Sequence, residues 1–206
     1  MTRTALVAAV LVAALPTATL PTAALPQPAP GAPPIREADA ERLANLDAAT
    51  GIALRQLVVE GDPAQLALAR TALKGEAVPA DAADLEGEWN CSMTKIGGLL
   101  PAVSYPPFRC RLGRDGDRLT FDKLTGSQRT RGTLQMSDGR WVYLGSTFVE
   151  GEQPMPYADF PEVVDISTGE TLPDVGVLEL TGPDTARITF PLPYRESVLN
   201  VLTLTR

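Results

Sequence analysis

Two rhythms of apolar positions divide this chain. From Glu37 to Val59 the residues Leu43, Leu46, Leu54, Leu57 and Val58 recur near helical spacing, with Glu, Arg and Asp between them. This predicts a first helix, with Gly51 in mid-pattern as the point where it can break and Gly61 as its stop. Asp62 then has the character of an N-cap, with Pro63 at the first helical position and Gly75 as the C′ residue of a second helix. Leu66, Leu68, Ala69, Ala72 and Leu73 supply its apolar positions. The two helices form an αα-hairpin. Glu76 to Asp84 reads as a polar connection.

From Leu85 onward the apolar residues alternate with polar ones or come in short runs, punctuated by the turn signals Gly97-Gly98, Asp115-Gly116, Ser137-Asp138-Gly139 and Gly182-Pro183. Strands are predicted over 87–95, 108–112, 118–124, 131–136, 141–148, 175–181, 187–192 and 198–205. In the second, Phe108, Cys110 and Leu112 share one face while Arg109 and Arg111 take the other. About eight strands at roughly 10-residue spacing, joined mostly by tight turns, form an antiparallel meander. Closing it into a barrel removes its edges. The predicted class is α+β: an N-terminal helical hairpin (residues 37–84) packed on a closed barrel domain (85–206). Glu150 to Pro173, rich in proline and acids, is a long loop over one mouth.

The N-terminus adds a location. Arg3 precedes the apolar run Ala5 to Leu15, about a dozen residues where a bilayer span needs about 20. Thr22, Ala23 and Ala24 follow, so residues 1–24 read as a secretory signal peptide cleaved after Ala23 or Ala24. No cysteine there allows lipidation. The Pro- and Ala-rich segment LPQPAPGAPP makes residues 25–36 an extended tether. No second long apolar run follows, so stable membrane insertion is not expected, and the location is the periplasm or the exterior.

Composition mainly excludes. Asp and Glu number 25 against 18 Lys and Arg, which argues against nucleic acid and anionic membrane surfaces as partners. There is no histidine, so the usual neutral-pH base and the commonest transition-metal ligand are missing. Neither a metal nor a cofactor is expected. The two cysteines, Cys91 and Cys110, fall on neighbouring predicted strands of an exported chain and are expected to pair as a structural disulfide.

Two resemblances appear at this point. Gly87-Glu88-Trp89-Asn90-Cys91, Phe108-Arg109-Cys110-Arg111, Lys123-Leu124-Thr125-Gly126-Ser127-Gln128-Arg129, then Leu192-Pro193 with Glu196-Ser197, resemble the bacterial proteins grouped as domain of unknown function 4893, over about residues 40–206. That resemblance implies no activity. The Gly87-x-Trp89 signature at the start of the first strand is also similar to the calycin barrels of lipocalins and their relatives. It implies that Trp89 packs at the closed barrel end beneath a cation from the chain's last part, Arg206 or Arg195. Secreted metalloprotease inhibitors of Gram-negative bacteria share such a barrel with one early disulfide.

The densest polar run, Lys123 to Arg131, is the candidate site. Backbone amides around Gly126, with Lys123, Thr125, Ser127, Gln128, Arg129 and Arg131, suit a carboxylate, sulfate or phosphate. The competing interpretation is a β-turn whose hydroxyls satisfy local backbone while its cations pair with nearby acids. The P-loop spacing is absent. As a nucleophile Ser127 needs Lys123 as its base, and no Ser-x-x-Lys surrounds it. Glu150, Glu152, Asp159, Glu162 and Asp165 offer carboxylate pairs, yet lack calcium-loop spacing and suit a solvated loop. Trp141, Tyr143, Tyr157 and Tyr194 suit packing rather than a binding role. The sequence therefore predicts an exported binding module for a small anionic ligand or an envelope protein. The alternatives are a periplasmic hydrolase using Ser127 with Lys123 or a carboxylate pair, and a structural or protease-inhibitor-like envelope barrel.

Overall fold

The computed structural model describes residues 32–167 and 169–206; the predicted leader and most of the tether lie outside the described residues. Helices α1 (Glu37–Ala44), α2 (Leu46–Glu60), α3 (Pro63–Leu73) and α4 (Ala82–Leu85) precede nine strands. These are β1 (Gly87–Ile96), β2 (Ala102–Ser104), β3 (Phe108–Asp115), β4 (Arg118–Lys123), β5 (Gln128–Ser137), β6 (Arg140–Val149), β7 (Leu172–Gly182), β8 (Thr185–Pro191) and β9 (Leu199–Thr205). From β3 to β9 each strand pairs antiparallel with the next. β1 pairs with β3 through Gly87–Cys91 and with β9 through Asn90–Ile96, closing an eight-stranded barrel. The extra strand β2 lies along the end of β1, Thr94–Ile96.

Alternation fills the barrel. Cys91, Cys110, Leu112, Phe121, Tyr143, Ile188, Phe190, Leu202 and Leu204 are almost wholly buried in one cluster. Phe121 and Phe190 meet the Tyr143 ring edge-on, at centroid distances of 5.8 and 5.7 Å. Gly145 makes room for that tyrosine: a Cβ there would stand 2.1 Å from the Tyr143 hydroxyl. Cys91 and Cys110 form the expected disulfide, with Cα atoms 5.9 Å apart.

The helices coat the outer face of the barrel. Asp62 caps α3 as predicted: Gln65 N–H donates to Asp62 Oδ1 (2.8 Å), and Asp62 N–H to Gln65 Oε1 (3.0 Å). The first helix breaks at Asn45, and α2 runs through Gly51 unbroken. Packing accounts for the difference. The break lets Leu43 of α1 pack with Val142, Leu144, Val175 and Val177, while Ala49, Ala53 and Leu57 of α2 pack with Ile96, Leu199 and Val201. An exposed helical glycine costs only about 1 kcal/mol, less than burying those three side chains returns.

The connection after α3 is more than a polar link. Val78 N–H donates to the Leu180 carbonyl (2.8 Å), Trp141 Nε1–H to the Ala80 carbonyl (3.1 Å), and Leu85 is fully buried. This segment seals one end of the barrel. Trp89 lies there, its Nε1–H donating to the Leu85 carbonyl at 2.9 Å. The Arg206 guanidinium stands 4.2 Å from the Trp89 ring centre and donates to the Asp84 and Glu86 carbonyls (2.7 and 2.8 Å). Of the two arginines the calycin resemblance offered, Arg206 takes this place and Arg195 lies at the opposite end. Among the described residues no helix is long and apolar enough to cross a membrane.

Candidate functional site

The inward row of β4 runs Leu119, Phe121, Lys123, and the last of these brings an ammonium group to the open end of the barrel. Lys123 is only 6% exposed. Its Nζ stands 3.8 Å from the centre of the Phe108 ring and donates to the Gln128 carbonyl. Gly126, at φ +93°, lets the chain turn tightly over this group; a Cβ there would meet Phe108 at 2.7 Å and Lys123 Nζ at 2.9 Å. Burial, then the positive charges of Arg129 and Lys95, lower the Lys123 ammonium to about 8.

A cavity of about 350 Å³ opens here, at the small end of the range for small-molecule sites. Met93, Phe108 and Leu172 give it apolar walls. Among the described residues four cations line it, and three hold a carboxylate: Lys95 with Glu196, Arg129 with Glu150, Arg195 with Glu170. Lys123 holds none. Asp174, the third residue of β7, supplies a lining carboxyl. Burial raises it to about 6, against the opposing pull of Arg42 and of the Thr130 hydroxyl. Thr130 Oγ1 lies 3.2 Å from Asp174 Oδ2 and 2.7 Å from the Tyr143 hydroxyl, tying the cavity to the core. Burial and the Asp174 charge push the Tyr143 phenol well above its usual range.

The predicted anion run is only partly brought together. Lys123, Ser127, Gln128 and Arg129 line the cavity. Thr125 does not: its hydroxyl accepts the Arg109 N–H (2.9 Å), as the plain-turn interpretation requires. Arg131 does not line the cavity: β5 begins at Gln128, three residues earlier than predicted, and Arg131 lies two residues beyond the rim residue Arg129 on the same outer face, opposite Asp122 with which it pairs. Ser127 and Lys123 line the same cavity, and the Lys123 Nζ donates to the Gln128 carbonyl and faces the Phe108 ring.

The loop after β6 contributes Glu170 to the rim, while Leu172 and Pro173, predicted as the end of that loop, open β7 and line the cavity from there. Its acids serve local structure: Glu152 accepts the Thr171 hydroxyl at 3.1 Å, and Asp165 accepts the Ser167 N–H and hydroxyl, which lower its carboxyl. What holds the loop is a buried network absent from the sequence prediction. Asp39, fully buried, accepts from Arg36 Nη1 (3.1 Å), Arg42 Nη1 (3.0 Å) and the Tyr157 hydroxyl (2.7 Å). Arg36 Nη2 also donates to the Pro161 and Glu162 carbonyls (2.6 and 2.7 Å), and Arg42 Nε to that of Pro191 (3.2 Å). The Arg42 guanidinium stacks 4.9 Å from the Tyr194 ring centre, on the cavity wall. The available signal was the three-residue spacing of Arg36, Asp39 and Arg42, which puts them on one side of α1.

Comparison with known proteins yields one match. The family model described as Domain of unknown function (DUF4893) matches residues 33–204. No curated protein and no solved structure matches the chain.

Proposed function

This chain belongs to that domain-of-unknown-function family, a membership that assigns no activity, and we propose that it is an exported binding module holding a small anionic ligand in the open mouth of its barrel. The observation that carries this reading is Lys123, a cation almost wholly buried, lining a cavity of small-molecule size with no carboxylate of its own. An unpaired buried charge is costly, and a bound anion offsets that cost. Arg129 adds a second cation whose partner Glu150 is exposed, so that pair can exchange. Export is supported by the apolar leader in the sequence and by the Cys91–Cys110 disulfide, a bond rare in reducing compartments.

The test is an NMR titration of the isotope-labelled protein with sodium benzoate and sodium sulfate. Saturable shifts are expected on the backbone amides of Gln128, Arg129 and Thr130. Lys123→Met is expected to weaken binding about tenfold or more, the worth of one hydrogen bond to a charged group. Flat titrations with both salts, or an affinity unmoved by Lys123→Met, overturn the proposal.

A further inference from the structure

We propose that Lys123 is a reactive amine that condenses with the carbonyl group of a small oxo acid bound in the cavity, forming an imine. This names the ligand class of the anion site and rests on that reading.

An amine attacks through its lone pair, so the ammonium form must be disfavoured where the carbonyl arrives. Burial of Lys123 does this, working against the Phe108 ring face and the Gln128 carbonyl, which both favour the ammonium. Of the acids lining the cavity, Glu196 pairs with Lys95, Glu170 pairs with Arg195, and Asp174 hydrogen-bonds Thr130. The charges that act on Lys123 are positive, Arg129 and Lys95. With its ammonium lowered to about 8, roughly one molecule in ten carries the neutral amine at pH 7, against roughly one in a few thousand for an ordinary lysine. The cavity has room for a compound of a few carbons, with Met93 and Leu172 to cover its chain. Arg129, whose present partner Glu150 faces solvent, is the cation free to take the carboxylate.

The step balances without an external redox partner. The Nζ lone pair forms the C–N bond, the carbonyl oxygen takes both amine protons, and water leaves as the C=N bond forms. A hydride reagent then fixes the adduct by reducing C=N to a secondary amine.

The chain has three lysines, Lys74, Lys95 and Lys123, so the test reads each one. The intact protein is treated at pH 7 with limiting glyoxylate and sodium cyanoborohydride, and the carboxymethyl adducts are mapped by peptide mass spectrometry. Lys123 is expected to carry about ten times or more the adduct of exposed Lys74, allowing for the weaker nucleophilicity of a less basic amine. Acetate, which has the carboxylate but no carbonyl, is expected to slow trapping at Lys123 and not at Lys74. An adduct on Lys123 no greater than on Lys74 overturns the imine. If benzoate still titrates the cavity amides in that case, the anion site stands without the chemistry. Trapping of Lys123 that ignores acetate and proceeds as fast with propanal overturns the oxo-acid assignment, and the anion reading with it.

Discussion

The two ends of this barrel are built from the same strands and obey opposite rules. Along β1 the inward row runs Trp89, Cys91, Met93, Lys95; along β4 it runs Leu119, Phe121, Lys123; along β9, read backward, Leu204, Leu202, Asn200. Each row begins apolar beneath the α4 seal and ends polar or charged at the mouth. At the sealed end the Trp89 indole N–H and Arg206 Nη2 go to backbone carbonyls, so these side chains close the barrel end. At the mouth a buried ammonium has no carboxylate, and a half-buried carboxyl sits above its ordinary range. One end contributes stability and the other gives some of it up, a division common where a rigid scaffold carries a site.

The largest effect expected from this contrast is at the sealed end. Trp89→Ala removes a side chain 2% exposed, together with the face on which Arg206 stacks. It should cost about 3–5 kcal/mol of unfolding free energy, the usual range for emptying a buried aromatic site. Urea unfolding measures the loss, and the midpoint should fall with little change in slope. Anion affinity of the folded variant should stay at the wild-type value. Affinity falling in step with stability would mean that the two ends are coupled.

Asp174 sharpens the contrast through pH. Its folded value of about 6 lies above the ordinary 3.8, so between those values the folded chain holds a proton that the unfolded chain has released. Stability from this group therefore falls as pH rises from about 4 to 6, and the deficit persists above. Lys123 is displaced the other way, from 10.5 to about 8, and lets stability rise between those values. Asp174→Asn should raise stability at pH 7 by on the order of 1 kcal/mol and have no effect near pH 3. It should also bring anion affinity at pH 7 to the level that the wild type reaches below pH 6. A variant whose stability keeps the wild-type slope between pH 4 and 6 would remove Asp174 from this role.

What the sequence made legible follows from which signals are local. Closure of the barrel, the disulfide and the capped α3 all follow from alternation, spacing and turn chemistry, and each is present. Lys123 was singled out by its place in the polar run beside the Thr125-Gly126-Ser127 turn; that it shares a strand face with Leu119 and Phe121 was also there to read. Asp174 was missed by a single residue: the loop was predicted to end at Pro173 and β7 to begin at Val175, which left the carboxyl between them instead of on an inward row. The three residues of β2 are too few to show a period. Arg36 fell in the predicted tether, and Asp39 and Arg42 among the polar positions of the first predicted helix, where charge ordinarily means water. Only the folded chain brings Tyr157 and the Pro161 carbonyl across to bury them.

The smallest expected effect separates two arginines that stand two positions apart in one strand. Arg131 pairs with Asp122 on the outer face, with its side chain 56% exposed; such a pair contributes a few tenths of a kcal/mol at most. Arg131→Ala should change stability by less than about 0.5 kcal/mol and leave anion affinity untouched. Arg129, at the rim, donates through Nε to the Gly126 carbonyl (3.1 Å) and pairs with exposed Glu150. Arg129→Ala should cost about as little stability but weaken benzoate binding by roughly twofold to tenfold, the worth of a screened charge contact. The same NMR titration measures both variants. If Arg131→Ala loses as much affinity as Arg129→Ala, the anion rests on the outer face of β4 and β5. The cavity would then be a void beneath an ordinary turn, and the distinction between a stabilising end and a binding end would fall.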